Sequence, residues 1–307
     1  MTDSQALPFP PSLPKRLVYF GTPESAVAPL QALVVAGFDV ALVVSRADRR
    51  RGRRAEPTPS PVKAAAIELG IAVTTEVEDA LAVNADCGVV VAYGRLIQEH
   101  VLRQLPMINV HFSLLPRWRG AAPVERALLA GDTETGVGIM ALDVTLDTGA
   151  IFAERVIEIG AEETADELRA RLVVIGAELL VATLQQGLTD PTSQVGEPTY
   201  AAKIRRDDLK LDFNSTAAQI LQMVRVGGSW TTFRDRTLKI HAMSATDLSL
   251  VSNLAPGQIV QADGRLLVGT NTNEVELRTV QPEAKPRVEA NAWANGARLT
   301  SDDRLGQ

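Results

Sequence analysis

A single cysteine, Cys87, stands in a chain of 307 residues, directly before the apolar run Gly88 to Ala92. One thiol makes neither an internal disulfide nor a thiolate metal cluster, so Cys87 reads as core. Histidine is nearly as scarce: His100, His111 and His241 lie too far apart in sequence for a metal cage, and no metal is expected. There is no GxSxG elbow, and Ser113 has no second histidine to activate it, so no enzyme-bound nucleophile is in view. No apolar run approaches the roughly 20 residues of a membrane span. The segment 7–14, Leu-Pro-Phe-Pro-Pro-Ser-Leu-Pro, has neither the basic start nor the apolar heart of a signal peptide. Residues 1–14 are therefore expected to be a disordered extension, and the protein cytoplasmic and without membrane contact. A net charge of −6 speaks against a generally basic, nucleic-acid-coating surface.

What is present begins as α/β. Residues 16–20 predict a strand, 25–37 carry the helical spacing of Val27, Leu30, Leu33 and Val34, and 38–45 predict a second strand. The opening unit is βαβ with a right-handed crossover. Its Gly21 turn lacks GxGxxG, so a dinucleotide fingerprint is not supported. Arg46, Arg49, Arg50, Arg51, Arg53 and Arg54 then crowd one loop against the single acid Asp48. Ser60-Pro61 is an N-cap followed by proline at the first helical position, opening a helix over 62–69. Residues 71–75 and 88–92 predict further strands. The second of these is apolar throughout, as a central parallel strand covered on both faces must be, and Tyr93-Gly94-Arg95 follows at its carboxyl end. Helix is predicted over 123–130 and from the capping box of Thr164 and Glu167 to Gly187, with strands over 136–142 and 151–159.

Residues 190–210, rich in Thr, Pro, Ser, Gln and charge, read as a linker between a catalytic domain, 15–189, and a smaller one, 211–307. The smaller domain predicts one helix over 214–226 and five short strands with a hairpin signal at Asp263-Gly264, the pattern of a small OB-like barrel.

The stretch with most chemistry is 107–123. Asn109, Val110 and His111 alternate, so Asn109 and His111 share a face of a strand about to leave the sheet. Ser113 and Pro116 make a turn, and Arg117, Trp118, Arg119 and Gly120 follow as a loop. A second polar loop, 143–149, holds Asp147. An amide, an imidazole and a carboxylate suit the transfer of a group between two bound substrates: Asn109 and His111 donate to a developing oxyanion, and Asp147 pairs with the charged imidazole and takes a proton from an attacking amine. Each residue also has an ordinary structural reading. A lone histidine at a strand end is more often structural than catalytic, Asp147 in Leu-Asp-Thr-Gly could serve its own turn, and the arginine run could be a solvated loop. Spacing does not separate these readings.

The segments 109–111 and 113–123 (Asn-Val-His, then Ser-Leu-Leu-Pro-Arg-Trp-Arg-Gly-Ala-Ala-Pro) resemble the central signature of the methionyl-tRNA formyltransferase family, and 143–149 resembles its second motif. Phe20-Gly21-Thr22-Pro23, Ser60-Pro61-Val62-Lys63 and Val91-Ala92-Tyr93-Gly94 resemble further family segments, so the likeness spans roughly 15–285 in order. The resemblance implies a Rossmann-like open-sheet formyltransferase domain followed by an OB-like barrel. It implies transfer of formyl from 10-formyltetrahydrofolate, as co-substrate, to methionine on charged initiator tRNA, by a monomer. Asn109, His111 and Asp147 would be the catalytic set. Tyr93, Gly94, Ser113, Leu114, Leu115, Pro116 and Asp143 would hold the folate. Arg49, Arg50, Arg51, Arg53 and Arg54 would contact the tRNA, Arg53 aligning with the family's critical arginine, and the C-terminal domain would bind tRNA as well. Phe112 stands where many relatives have glycine and is expected to narrow the pocket. A small-amine acceptor or a non-catalytic RNA-binding factor are the other readings; the cationic loop and second domain speak against the first, the intact trio against the second.

Overall fold

Residues Arg16–Gly21 form β1, and Leu17, Val18, Tyr19 and Phe20 are all fully buried, as a central strand covered on both faces requires. The computed structural model describes residues 7–50, 56–246 and 254–307. The chain divides into two units, one of Met1–Val124, Glu134–Ile159 and Glu167–Ala202, the other of Glu125–Thr133, Gly160–Asp166 and Lys203–Gln307.

In the first unit β1 is followed by α1 (Val27–Val35), β2 (Asp39–Val44), α2 (Pro61–Glu68), β3 (Val73–Thr74), β4 (Cys87–Val91), α3 (Glu99–Leu102) and β5 (Met107–His111). Then come α4 (Pro123–Ala130), which runs into the second unit, β6 (Glu134–Ala141), β7 (Ile151–Glu158) and α5 (Ala165–Gln186). One sheet takes the order β7-β6-β5-β4-β1-β2-β3, with β1 to β5 parallel to their neighbours and β6 and β7 antiparallel. The strand order reverses between β1 and β4, so a crevice opens where their carboxyl ends part. There the Thr22 hydroxyl donates to the Tyr93 carbonyl at 3.0 Å.

Local signals act as expected in this unit. The Ser60 hydroxyl accepts from the Lys63 N–H at 3.1 Å, capping α2 with Pro61 in its first turn. Cys87 is fully buried, and burial pushes its thiol up to about 12, which leaves it inert core. Residues 7–14 differ from the expected disordered extension. Phe9 meets Phe152 edge-on at 5.8 Å, and the Leu188 N–H donates to the Ser12 carbonyl at 2.7 Å. Their prolines and apolar side chains had surface to cover, which composition alone does not reveal. The stretch read as linker is likewise tied down: Thr192 bridges to Ile151, and Tyr200–Ala201 pairs in parallel with Arg119–Gly120.

The second unit contains α6 (Ala217–Val226), β8 (Trp230–Phe233), β9 (Arg236–Ala245), β10 (Ile259–Ala262), β11 (Arg265–Val268), β12 (Val275–Pro282), β13 (Val288–Glu289) and α7 (Ala290–Ala297). The sheet is antiparallel, in the order β8-β9-β12-β11-β10, with β13 on β12. Asp263 and Gly264, with φ of 47° and 73°, make the tight turn that joins β10 to β11. Register shifts near Ile240 and Ala242 bend β9. The C-terminal segment then spans both edges, since Leu305 bridges Phe233 on one side while Arg304 bridges Gln258 on the other. That closes the sheet into a barrel around Leu238, Ile240, Leu266, Val275, Leu277 and Val280.

Candidate active site

β5 reaches the rim of the sheet with Asn109 and His111 two residues apart and therefore on one face. Both are buried, at 8% and 5% exposure. Val110 and Phe112 turn the other way: they flank Gly176 of α5, with Val110 Cγ1 3.2 Å and Phe112 Cε1 3.3 Å from where a Cβ on that glycine would stand. The expectation that Phe112 narrows the pocket is overturned, because its ring packs on the helix side of the sheet. Asn109 is buried and makes no side-chain hydrogen bond to another described residue.

His111 Nε2 lies 3.0 Å from the Trp118 carbonyl oxygen. A carbonyl only accepts, so this nitrogen carries a proton and anchors the ring. Nδ1 is turned toward Asp147, whose Oδ2 is 3.8 Å away. That separation is wider than a hydrogen bond, so imidazole and carboxylate are aligned without being closed on each other. The same Oδ2 accepts from the Gly120 N–H at 2.7 Å.

Both loops that deliver these atoms carry backbone that ordinary residues avoid. Trp118 and Asp147 have φ of 63° and 52°, a left-handed conformation that costs on the order of 1–3 kcal/mol at a non-glycine residue and persists only when the surroundings impose it. Gly149 passes so close to β6 that a Cβ would stand 1.8 Å from the Ala141 carbonyl oxygen, which fixes where the Asp147 turn rejoins the sheet. The Trp118 loop is pinned by its N–H donating to Thr199 Oγ1 at 2.9 Å and by the Ser113 hydroxyl donating to the Arg117 carbonyl at 2.7 Å. Gln194 touches both loops: its Nε2 donates to the carbonyls of Asp147 and Gly149, each at 2.9 Å, and its Oε1 accepts from Arg119.

Tyr93 is 1% exposed, and its ring meets Phe20 edge-on in the core, so only its backbone and Gly94, at φ 74°, edge the crevice. Ser113 holds its own loop, Leu114 packs against Gly136, and Leu115 is buried with Met140 and Ile151. Pro116 follows a cis peptide bond. Asp143 is exposed, and its Oδ1 accepts from the Val144 N–H at 2.7 Å. Arg49 and Arg50 pair as a short strand with Pro57–Thr58, whereas Arg51, Arg53 and Arg54 lie outside the described residues. A cleft of about 270 Å³ at the carboxyl ends of β1 and β2 is lined by Thr22, Arg46, Arg50 and Ser60 among others. Two guanidinium groups and the first turn of α2 give it an anion-binding character.

The sequence did not single out Gln194, nor Arg46 as part of this cleft. Gln194 sits in a polar tract with no periodicity, and nothing local marks it; Arg46 was visible in the basic run.

Among the described residues none at this rim is an activated nucleophile, and the site is that of a group transferase working between two bound substrates on an α/β sheet. A profile of the formyl transferase family matches residues 15–184, and one of the formyl transferase C-terminal domain matches 203–298. The chain belongs to the formyl transferase family, in its methionyl-tRNA formyltransferase branch. It is 42% identical over 308 residues to the methionyl-tRNA formyltransferase of Clavibacter sepedonicus, covering 95% of this chain and all of that one. It is 43% identical over 299 residues to that of Leifsonia xyli, covering 92% of this chain and 97% of the relative. In fold it resembles an N-formyltransferase from Helicobacter canadensis solved with folinic acid and dTDP-3-aminofucose, with a TM-score of 0.66 at 18% identity over 87% of this chain and 99% of that one.

Proposed function

We propose that this protein transfers the formyl group of 10-formyltetrahydrofolate to the free amine of methionine carried on initiator tRNA, giving N-formylmethionyl-tRNA for translation initiation in the cytoplasm. The full-length kinship with methionyl-tRNA formyltransferases supports the acceptor. What supports the chemistry is that Asn109, a buried carboxamide with no side-chain partner among the described residues, shares a strand face with His111, whose Nδ1 is turned toward Asp147 Oδ2.

In this reading the amine nitrogen adds to the formyl carbon, and the carbonyl electrons move onto oxygen. The Asn109 N–H and a protonated His111 Nδ1 donate to that oxygen, while Nε2 stays anchored on the Trp118 carbonyl. Asp147 takes the proton that the amine loses, directly or through a water. As the carbonyl re-forms, the carbon–N10 bond breaks and N10 receives that proton, so the folate leaves neutral at nitrogen. No bond to the enzyme forms at any step.

The residues present fit a folate. The backbone of Tyr93 and Gly94, the 113–116 turn and the 143–147 loop would hold its ring system. Leu96, Val144 and Leu146, large apolar side chains left exposed beside those turns, offer it apolar surface. Arg49, Arg50, Arg51, Arg53 and Arg54, with Arg46, would meet tRNA phosphates, as would the C-terminal barrel. The deciding assay offers 10-formyltetrahydrofolate with charged initiator tRNA or with small amines such as an amino sugar nucleotide. Formylation of the tRNA is expected; formylation of small amines alone would replace this acceptor.

A further inference from the structure

Gln194 is the point where the two loops of the site are tied to each other. The Asp147 carboxylate accepts from the Gly120 N–H at 2.7 Å; the neighbouring Arg119 donates from Nε and Nη2 to Gln194 Oε1 at 3.1 and 2.6 Å; Gln194 Nε2 donates back to the Asp147 and Gly149 carbonyls at 2.9 Å each. The ring is closed: carboxylate, backbone, guanidinium, carboxamide, backbone. A carboxamide is the only common side chain that can complete it, since one end must accept from a cation and the other must donate to two carbonyls. The need for such a tie is visible in the backbone. Asp147 sits in the left-handed region at φ 52°, and its Oδ2 must stay at one distance from His111 Nδ1.

We infer that Gln194 is a positioning residue for formyl transfer: it holds the Asp147 carboxylate in register with His111 by fixing the turn that carries it. Gln194 itself does not reach the pair. It acts on the backbone on either side of Thr148, while its other end locks the loop whose Gly120 N–H orients the carboxylate. Removing the donor end frees the turn to relax from its strained conformation, and proton transfer suffers because a displacement of about 1 Å can cost on the order of 100-fold in rate.

This rests on Asp147 belonging to the catalytic set, so Asp147→Asn is measured alongside. The test is Gln194→Glu, which keeps an acceptor for Arg119 and removes the donor to the two carbonyls. Single-turnover formyl transfer is expected to fall at least about 10-fold, while the Michaelis constants for folate and tRNA stay within about threefold and the melting temperature is unchanged. Gln194→Met, which fills the same volume without donating or accepting, is expected to match it and serves if the glutamate variant does not fold. Transfer rates within twofold of the parent in the variant that folds would overturn the inference, as would a loss confined to the Michaelis constants or tracking a lowered melting temperature. If Asp147→Asn is itself as fast as the parent, the reading of the site fails instead, and the two failures are told apart.

Discussion

Two carboxylates, Asp147 in the first unit and Asp303 in the second, are both largely withdrawn from solvent, and they are bonded in opposite ways. Asp303 is saturated. Arg234 donates to its Oδ1 from Nε at 2.8 Å and to Oδ2 from Nη2 at 2.7 Å, and Oδ2 also accepts from the Thr300 N–H at 2.7 Å. The Arg234 guanidinium, ahead of those backbone and hydroxyl bonds, holds the Asp303 carboxyl well below the usual carboxylate range. Asp147 accepts one backbone N–H and stands 3.8 Å from an imidazole. A carboxylate held through both oxygens by one guanidinium is a lock, and Asp303 locks the C-terminal segment that closes the barrel. One with lone pairs left over can take a proton from a substrate.

The sharpest way to break this contrast is to neutralise each in turn. Asp147→Asn is expected to cut turnover at least about 100-fold, the scale of a lost proton transfer, with folate binding retained. Turnover near that of the parent would remove Asp147 from the chemistry and leave both carboxylates structural. Next in size, Arg53→Ala and Arg50→Ala should raise the apparent Michaelis constant for charged tRNA more steeply than that for folate, with activity weakening as salt rises because phosphate contacts are screened. Equal effects on both substrates, or a flat salt response, would take the tRNA away from this loop.

Smallest is Asp303→Asn, which should lower the melting temperature by a few degrees with no change in turnover. The pH dependence carries a sign. The folded carboxyl is depressed, so its stabilisation is fully present above the unfolded value near pH 4, about 3.9 for aspartate, and is lost as pH falls below that toward the folded value. The stability difference between parent and Asp303→Asn should therefore vanish on acidification below about pH 4 and not on raising the pH. A difference that persists in acid would show that Asp303 does not act through its charge.

Much of the architecture was legible because its signals are short-ranged. The apolar run at Val89, Val90 and Val91 announced a central strand, Ser60-Pro61 announced α2, and Asp263-Gly264 announced a hairpin. Helix α7 escaped because Asn291, Asn295 and Gly296 interrupt any apolar stripe, and only the barrel core, which buries Ala290 and Ala294, makes it a helix worth forming. Gln194 escaped for a different reason. Its bonds reach 47 and 75 residues back along the chain, to Asp147 and Arg119, and no local pattern encodes a partner at that range.

The sequence by itself determined that Asn109 and His111 share one face, since strand side chains alternate with a period of two wherever the strand is placed. It also determined the family, because the motif residues stand in order along nearly the whole chain. Which imidazole nitrogen looks at Asp147, that Phe112 packs away from the pocket, and that Gln194 ties the two loops together were decided only by the tertiary structure. Those relations depend on which strands become neighbours and how closely loops from distant parts of the chain approach, and that is settled by packing rather than by any local run of residues.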